Sequence, residues 1–203
     1  MFKLLVPIPK KLFIAVSGGI DSMVALDFCM LIQKDITVLH FNHGTEFGNK
    51  AEEFIKIYCE SKKIPLIVGY IDNNVKFNGK SKEDVWRKER YKFFKEVTTE
   101  KDSILMAHHL NDAIETWIFT SLNGKPFLIP VRRDNFIRPF LISAKKEITS
   151  WSDRKKVPYI EDPSNDDISY VRNLIRHKIM PDILKVNPGI SKVIRKKYLQ
   201  ELN

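Results

Sequence analysis

Ser17-Gly18-Gly19-Ile20-Asp21-Ser22 follows the apolar run Leu12-Phe13-Ile14-Ala15-Val16 and opens the apolar segment Met23 to Ile32. The first run reads as a buried parallel strand and the second as a helix, so the hexapeptide is the turn between them. Strand, glycine turn and helix start in that order make an anion site. The two glycines let backbone amides approach an anion closely, and the unpaired N–H groups of the helix start face it with the favourable end of the macrodipole. Ser17 and Ser22 add hydroxyl donors, and the implied ligand is a phosphate group. A G-x-x-x-x-G-K-[ST] loop is excluded, because the turn has neither that length nor a lysine to reach terminal phosphates. Asp21 is the unusual member. A carboxylate beside phosphate repels it unless a cation lies between, which points to Mg²⁺ bridging Asp21 and pyrophosphate oxygens. The plain alternative is an acid that only favours the first helical turn.

The whole chain sets wider bounds. Its 203 residues suit one domain, with room for a small appendage. No apolar run is long enough for a transmembrane helix, and Met1-Phe2-Lys3-Leu4-Leu5 lacks the regions of a secretory signal, so a cytoplasmic protein with no membrane partner is expected. Cys29 and Cys59 each sit among helical apolar neighbours and read as reduced core residues. With 34 Lys and Arg against 25 Asp and Glu, the net charge of +9 favours a polyanionic partner.

Along the chain, strands are expected at Ile36 to Asn42, Pro65 to Ile71 and Ile104 to Ala107, with helices at Asn49 to Lys62, Ser81 to about Val97 and Asp112 to Leu122. Ser81 and Asp84 form a capping-box pair after a polar loop containing Asn73, Asn74, Asn78 and Gly79. Short extended pieces follow around Leu128 to Val131 and Phe136 to Phe140, then a helix from Ser143 to Lys155, a short strand at Tyr159-Ile160, and helices from Tyr170 onward. This alternation predicts the α/β class: a mainly parallel, doubly wound sheet with helices on both faces, plus short C-terminal helices. Ligands of such sheets bind beyond the carboxyl ends of the strands, where the loops beginning at Ser17, His43, His108 and Glu161 should gather.

A second constellation, His108-His109-Leu110-Asn111-Asp112-Ala113-Ile114-Glu115-Thr116, sits at a predicted strand end on that edge. Asp112 as N-cap with Glu115 three residues on explains both acids as capping. The histidines have no such explanation, and no H-x-x-x-H or cysteine cluster supports zinc. In the closing helices Arg172 and Arg176 are spaced to share one face while Val171, Leu174, Ile175 and Ile179 cover another, which suits RNA contact. Lys192, Arg195, Lys196 and Lys197 add a basic tail.

S-G-G-x-D-S after a hydrophobic strand resembles the PP-loop of ATP pyrophosphatases. Together with H-F-N-H-G, W-R-K-E-R-Y, A-H-H-L-N-D-A-I-E-T, I-R-P-F-L, E-D-P-S-N and Y-x-R-N-x-I-R, in that order from about Leu12 to Pro181, it resembles the tRNA(Ile)-lysidine synthetase family. The resemblance implies an ATP-dependent ligase. Cytidine at the wobble position of a CAU-anticodon isoleucine tRNA is adenylated at C2, and the ε-amine of free lysine then displaces AMP. It also implies a catalytic domain over 1–182 and a basic helical tail over 183–203. Ser17, Gly18, Gly19, Ile20, Asp21, Ser22 and His43 would bind ATP, and Asp21 with Asp112 would hold Mg²⁺. Asp21, His108, Asp112, Arg87, Arg90 and Arg172 would be catalytic, while Arg172, Asn173 and Arg176 would meet the tRNA.

Two departures stand out. Ser121 to Phe127 replaces the family's glycine-rich, arginine-bearing loop, and the family's C-terminal tRNA-gripping domains do not follow. The expectation is a minimal enzyme with altered tRNA recognition, or one helped by a second copy or another protein. The alternatives are another PP-loop tRNA modification, by thiolation or amidation, and a tRNA-binding protein that has lost turnover.

Overall fold

The computed structural model describes residues 1–201 apart from 73, 76, 78 and 80. Asn73 and Asn78 of the expected polar loop lie outside the described residues. Five α/β repeats alternate along the chain: β1 (Lys11–Ala15), α1 (Ile20–Leu31), β2 (Asp35–Asn42), α2 (Glu46–Lys62), β3 (Leu66–Tyr70), α3 (Lys82–Val97), β4 (Ile104–Leu105) and α4 (Leu110–Leu122), then β5 (Arg132–Arg133), β6 (Phe136–Ile137) and α5 (Lys145–Lys155). A 3₁₀ turn at Pro163–Asp166 leads into α6 (Val171–Leu174), a π-helical segment at Ile175–Ile179, α7 (Met180–Val186) and α8 (Ile190–Glu201). Among the described residues no helix is long and apolar enough to cross a membrane.

The sheet order is β3-β2-β1-β4-β6-β5, parallel except for the last pair. The alternation of β1 decides which helices cover which face. Leu12 and Ile14 point into a core with Met23, Leu26 and Phe28 of α1 and Trp151 of α5. Phe13 and Ala15 point the other way, onto the cluster that includes Phe94 of α3 and Phe136. A third cluster joins Leu110, Ala113 and Ile114 of α4 to Ile190, Ile194 and Tyr198 of α8. The Tyr198 hydroxyl donates to the Ile129 carbonyl at 2.8 Å, which ties the end of the chain to the loop before β5. Cys29 and Cys59 are free and buried.

Local readings hold for α3, whose Ser81 side chain accepts from the Asp84 N–H, and fail in three places. Tyr159-Ile160 is not a strand; the Ile160 N–H bonds instead to the Gly18 carbonyl at 3.0 Å, across the glycine turn. Leu128 to Val131, expected as a short extended piece, leads into β5, and the Val131 carbonyl accepts from the Arg138 N–H at 2.9 Å. His109, not Asp112, is the N-cap of α4, and Asp112 takes the third helical position, where its carboxylate accepts from the His109 N–H at 2.9 Å. Of the expected apolar face of the closing helices, Ile175 is buried but Val171 and Leu174 are exposed, and with the wider π turn at Ile175–Ile179 it is Met180 that joins Ile175 inside.

Gly69 in β3 is required for its close approach to α3. An added Cβ would lie 2.5 Å from the Phe93 ring, well inside van der Waals contact. Gly69→Ala should therefore cost about 1–3 kcal/mol, read as a lower denaturant midpoint at unchanged slope.

Candidate active site

The glycine turn is built to leave donors unused. Gly18 has φ +86°, a value that L side chains rarely adopt, and a Cβ there would press on Ile160 at 3.2 Å. Ser22 locks the turn from inside: its hydroxyl donates to the Gly19 carbonyl at 2.9 Å and accepts from the Ser17 N–H at 3.1 Å. Gly19 is the N-cap of α1 and caps it with no side chain, so the first amides of that helix stay available.

Asp21, in the first turn of α1, is the centre of a charge cluster drawn from three elements. Lys145 at the start of α5 donates to its Oδ1 at 2.6 Å, and His109 Nε2 lies 3.4 Å from the same oxygen. His109 is buried, and its Nδ1 lies 3.4 Å from Asp112 Oδ2. Arg176 closes the chain, 3.8 Å from Asp112 Oδ1 and bound to both oxygens of Glu115 at 2.9 Å. Burial pushes the Asp21 carboxyl up, but the hydrogen bonds and charges of His109 and Lys145 outweigh it and hold the pKa at about 2. Burial pulls His109 down, yet the charges of Asp112 and Asp21 leave it above its ordinary value. Asp21 is thus a permanent anion beside a turn made for anions.

Two cavities meet here, sharing Ser17, Asp21, Ser22, Phe47 and Asp162. The first, about 390 Å³, extends under β2 and α3 and is lined by Leu39, Phe41, His43, Trp86 and Met106. His43 stacks on Trp86 with ring centres 5.0 Å apart. Burial, helped by the Arg90 charge, pushes His43 down to about 4, and burial pushes His108 down to about 3. Both are neutral near pH 7. Buried nitrogens on four of the lining residues, His40 Nε2, His43 Nδ1, Arg90 Nε and His108 Nδ1, have no hydrogen-bond partner, as expected of groups that complete a site with a polar ligand. The second cavity, about 500 Å³, lies on the α5 side and is lined by Gly19, Lys145, Thr149, Glu161 and Arg176.

The turn, His43, Arg90, His108 and Asp112 therefore come together. Arg87 does not join them: it is exposed, its guanidinium 5.0 Å from the Tyr91 ring centre. Arg172 lines neither cavity and lies 3.7 Å from Glu83, although its charge, like that of Arg87, acts on His108 and Arg90. Asn173, expected at RNA, is buried, and its amide donates to the carbonyls of Ser164 and Asp167 at 2.8 and 2.9 Å, which fastens the 3₁₀ turn to α6. Among the described residues no group of three or more His, Cys, Asp or Glu is placed to hold a metal. Asp21 remains suited to a Mg²⁺ ion held chiefly by phosphates and water, whereas Asp112 is already engaged by the His109 amide and faces Arg176. Sequence reasoning missed His109, Lys145 and Glu115. Glu115 carried a signal, one helical turn after Asp112; Lys145 carried none, because 124 residues separate it from Asp21.

A family model described as a PP-loop domain matches residues 3–183. The chain belongs to the PP-loop domain family. It is 35% identical over 198 residues to a tRNA(Ile)-lysidine synthase of Thermotoga sp., covering 91% of this chain and 48% of that protein. With a protein of the same name from Staphylococcus aureus it is 38% identical over 192 residues, covering 87% and 44%. The PP-loop chain thus spans about half the length of these relatives. Two solved structures share the fold: a glutamine-dependent NAD⁺ synthetase from Acinetobacter baumannii in complex with ADP (TM-score 0.53, 11% identity, 96% of this chain and 42% of that one) and an NH₃-dependent NAD synthetase from Campylobacter jejuni (0.50, 12%, 95% and 87%).

The depressed histidines of the PP-loop site give a signed pH effect. A buried histidine whose pKa falls from about 6.5 to about 3 binds its proton only in the unfolded chain between those values, so stability falls as pH falls through that window. His108→Asn should flatten the loss of thermal stability between pH 7 and pH 5 relative to the parent, read as a smaller drop in Tm.

Proposed function

We propose that this PP-loop chain performs the chemistry of a tRNA(Ile)-lysidine synthetase. ATP adenylates the oxygen on C2 of the wobble cytidine of a CAU-anticodon isoleucine tRNA, releasing pyrophosphate. The ε-amine of lysine then attacks C2, and AMP departs with that oxygen. What carries the reading is one conjunction: a permanently ionised Asp21 in a phosphate-binding turn, linked through His109 to Asp112, where two cavities meet. The similarity to lysidine synthases supports the choice of substrates.

In this reading the aromatic cavity takes the adenosine, with His43 and Arg90 completing its polar contacts, and the turn amides and serine hydroxyls bind the β and γ phosphates. Mg²⁺ held at Asp21 would neutralise charge on the leaving pyrophosphate. Asp112 Oδ1, whose nearest cation is Arg176 at 3.8 Å, is the acceptor best placed to orient the ammonium of lysine. Neutral His108 borders the same cavity and is positioned to accept a proton near the nucleobase. Arg172 and the exposed Lys192, Lys196 and Lys197 offer tRNA contacts to phosphate without reading sequence. Thiolation is disfavoured, because Cys29 and Cys59 are both sealed in the core.

The test is ATP-dependent incorporation of labelled lysine into an unmodified CAU isoleucine tRNA transcript, with a wobble-uridine transcript as control. Incorporation should require ATP, Mg²⁺ and the cytidine. Asp21→Ala should lower it at least about 100-fold while tRNA affinity stays within about threefold. Pyrophosphate release without lysine incorporation would assign a different nucleophile, and binding of tRNA with neither would identify a binding protein.

A further inference from the structure

The glycine turn has hydroxyls and amides but no lysine, although a leaving pyrophosphate carries several negative charges. The fold supplies one from elsewhere. Lys145 is the first residue of α5, and its N–H is fixed to Asn111 Oδ1 of α4 at 3.0 Å. Further along α5, Trp151 donates to Asp27 of α1 at 2.7 Å and packs edge-on against Phe28 at 5.6 Å. With both ends of its first two turns held, α5 delivers the Lys145 ammonium to Asp21 Oδ1 at 2.6 Å, in the cavity bordered by Ser17, Gly19 and Ser22.

We propose that Lys145 is the pyrophosphate-binding cation of this site, parked on Asp21 until the nucleotide arrives. This rests on the reading that the turn binds the β and γ phosphates. A Mg²⁺ ion held at Asp21 would repel an ammonium on the same carboxylate oxygen, so Lys145 would leave Asp21 when such an ion arrived with ATP, and phosphates bound at the turn would be its nearest new partners. The Lys145 side chain is 39% exposed and has a flexible four-carbon stem, so the exchange needs no backbone movement. Glu161, Asp162 and Asp166 border the same cavity, but the hydrogen bond its ammonium makes is to Asp21. When the bond between the α phosphorus and the bridging oxygen breaks, the electron pair goes to that oxygen, and Lys145 lies where that charge collects.

Calorimetric titration of the whole chain with pyrophosphate and with AMP, each with and without Mg²⁺, tests this without turnover. Lys145→Met should weaken Mg-pyrophosphate binding at least about tenfold while AMP affinity stays within about twofold, which also reports an intact fold, and Lys145→Arg should restore most of the loss. Asp21→Asn removes the carboxylate that Lys145 must leave, so Mg-free pyrophosphate should bind at least as tightly as to the parent. Parent-like pyrophosphate affinity in Lys145→Met overturns the assignment alone. Failure of the parent to bind either pyrophosphate or AMP overturns it together with the nucleotide reading of the site.

Discussion

A carboxylate placed in a phosphate-binding turn is the constraint on which the rest of this site depends. Half-burial of Asp21 favours its neutral form, and the hydrogen bonds and charges of His109 and Lys145 more than offset it and favour the ionised form. Neither partner is local. His109 comes from the β4–α4 turn and Lys145 from the start of α5, so the ionised state of Asp21 is a property of the assembled fold. An isolated strand–turn–helix with the same sequence would have the amides without the charge balance.

Assembly follows from strand order. With β2 on one side of β1 and β4 on the other, the chain leaves β1 at the point where successive connections diverge, and a crevice opens beyond the strand ends. His43 after β2, the glycine turn after β1 and His108 after β4 then line one cavity. The aromatic cluster of Phe2, Phe28, Phe140 and Trp151, with ring centres 5.0 to 5.6 Å apart, fastens α5 across α1 and so determines how far Lys145 reaches. Core packing on one face of the sheet thus sets electrostatics at its edge.

The elements legible in the sequence were those whose signal is local. Periodicity identified the parallel strands and their helices, and Ser81 with Asp84 marked the start of α3. The glycine turn was legible because φ +86° at Gly18 and the lack of a capping side chain at Gly19 are written into two residues. What escaped depends on long-range partners. His108 and His109 are adjacent and chemically alike, yet only His109 lies between two carboxylates, a distinction set by the side from which α1 approaches. The reading of Tyr159-Ile160 as a strand failed because its hydrogen bond goes to a turn, not to a sheet edge.

The arginines of the last motif show how a change in helical pitch divides one expected surface between two tasks. Spaced four apart, Arg172 and Arg176 would share a face of a regular helix, but the π turn begins between them, at Ile175, and includes Arg176. Arg172 stays outside near Glu83, whereas Arg176 turns in and forms a forked pair with Glu115, a carboxylate only 4% exposed. Burying that acid without a partner is unfavourable, so Arg176 is committed within the protein. Its fork also holds a positive charge 3.8 Å from Asp112, which biases the line of alternating charges running through His109 to Asp21. The outward charge of this region is therefore that of Arg172, Lys178 and the exposed lysines of α8, while Arg176, at the wall of the second cavity, is held by Glu115.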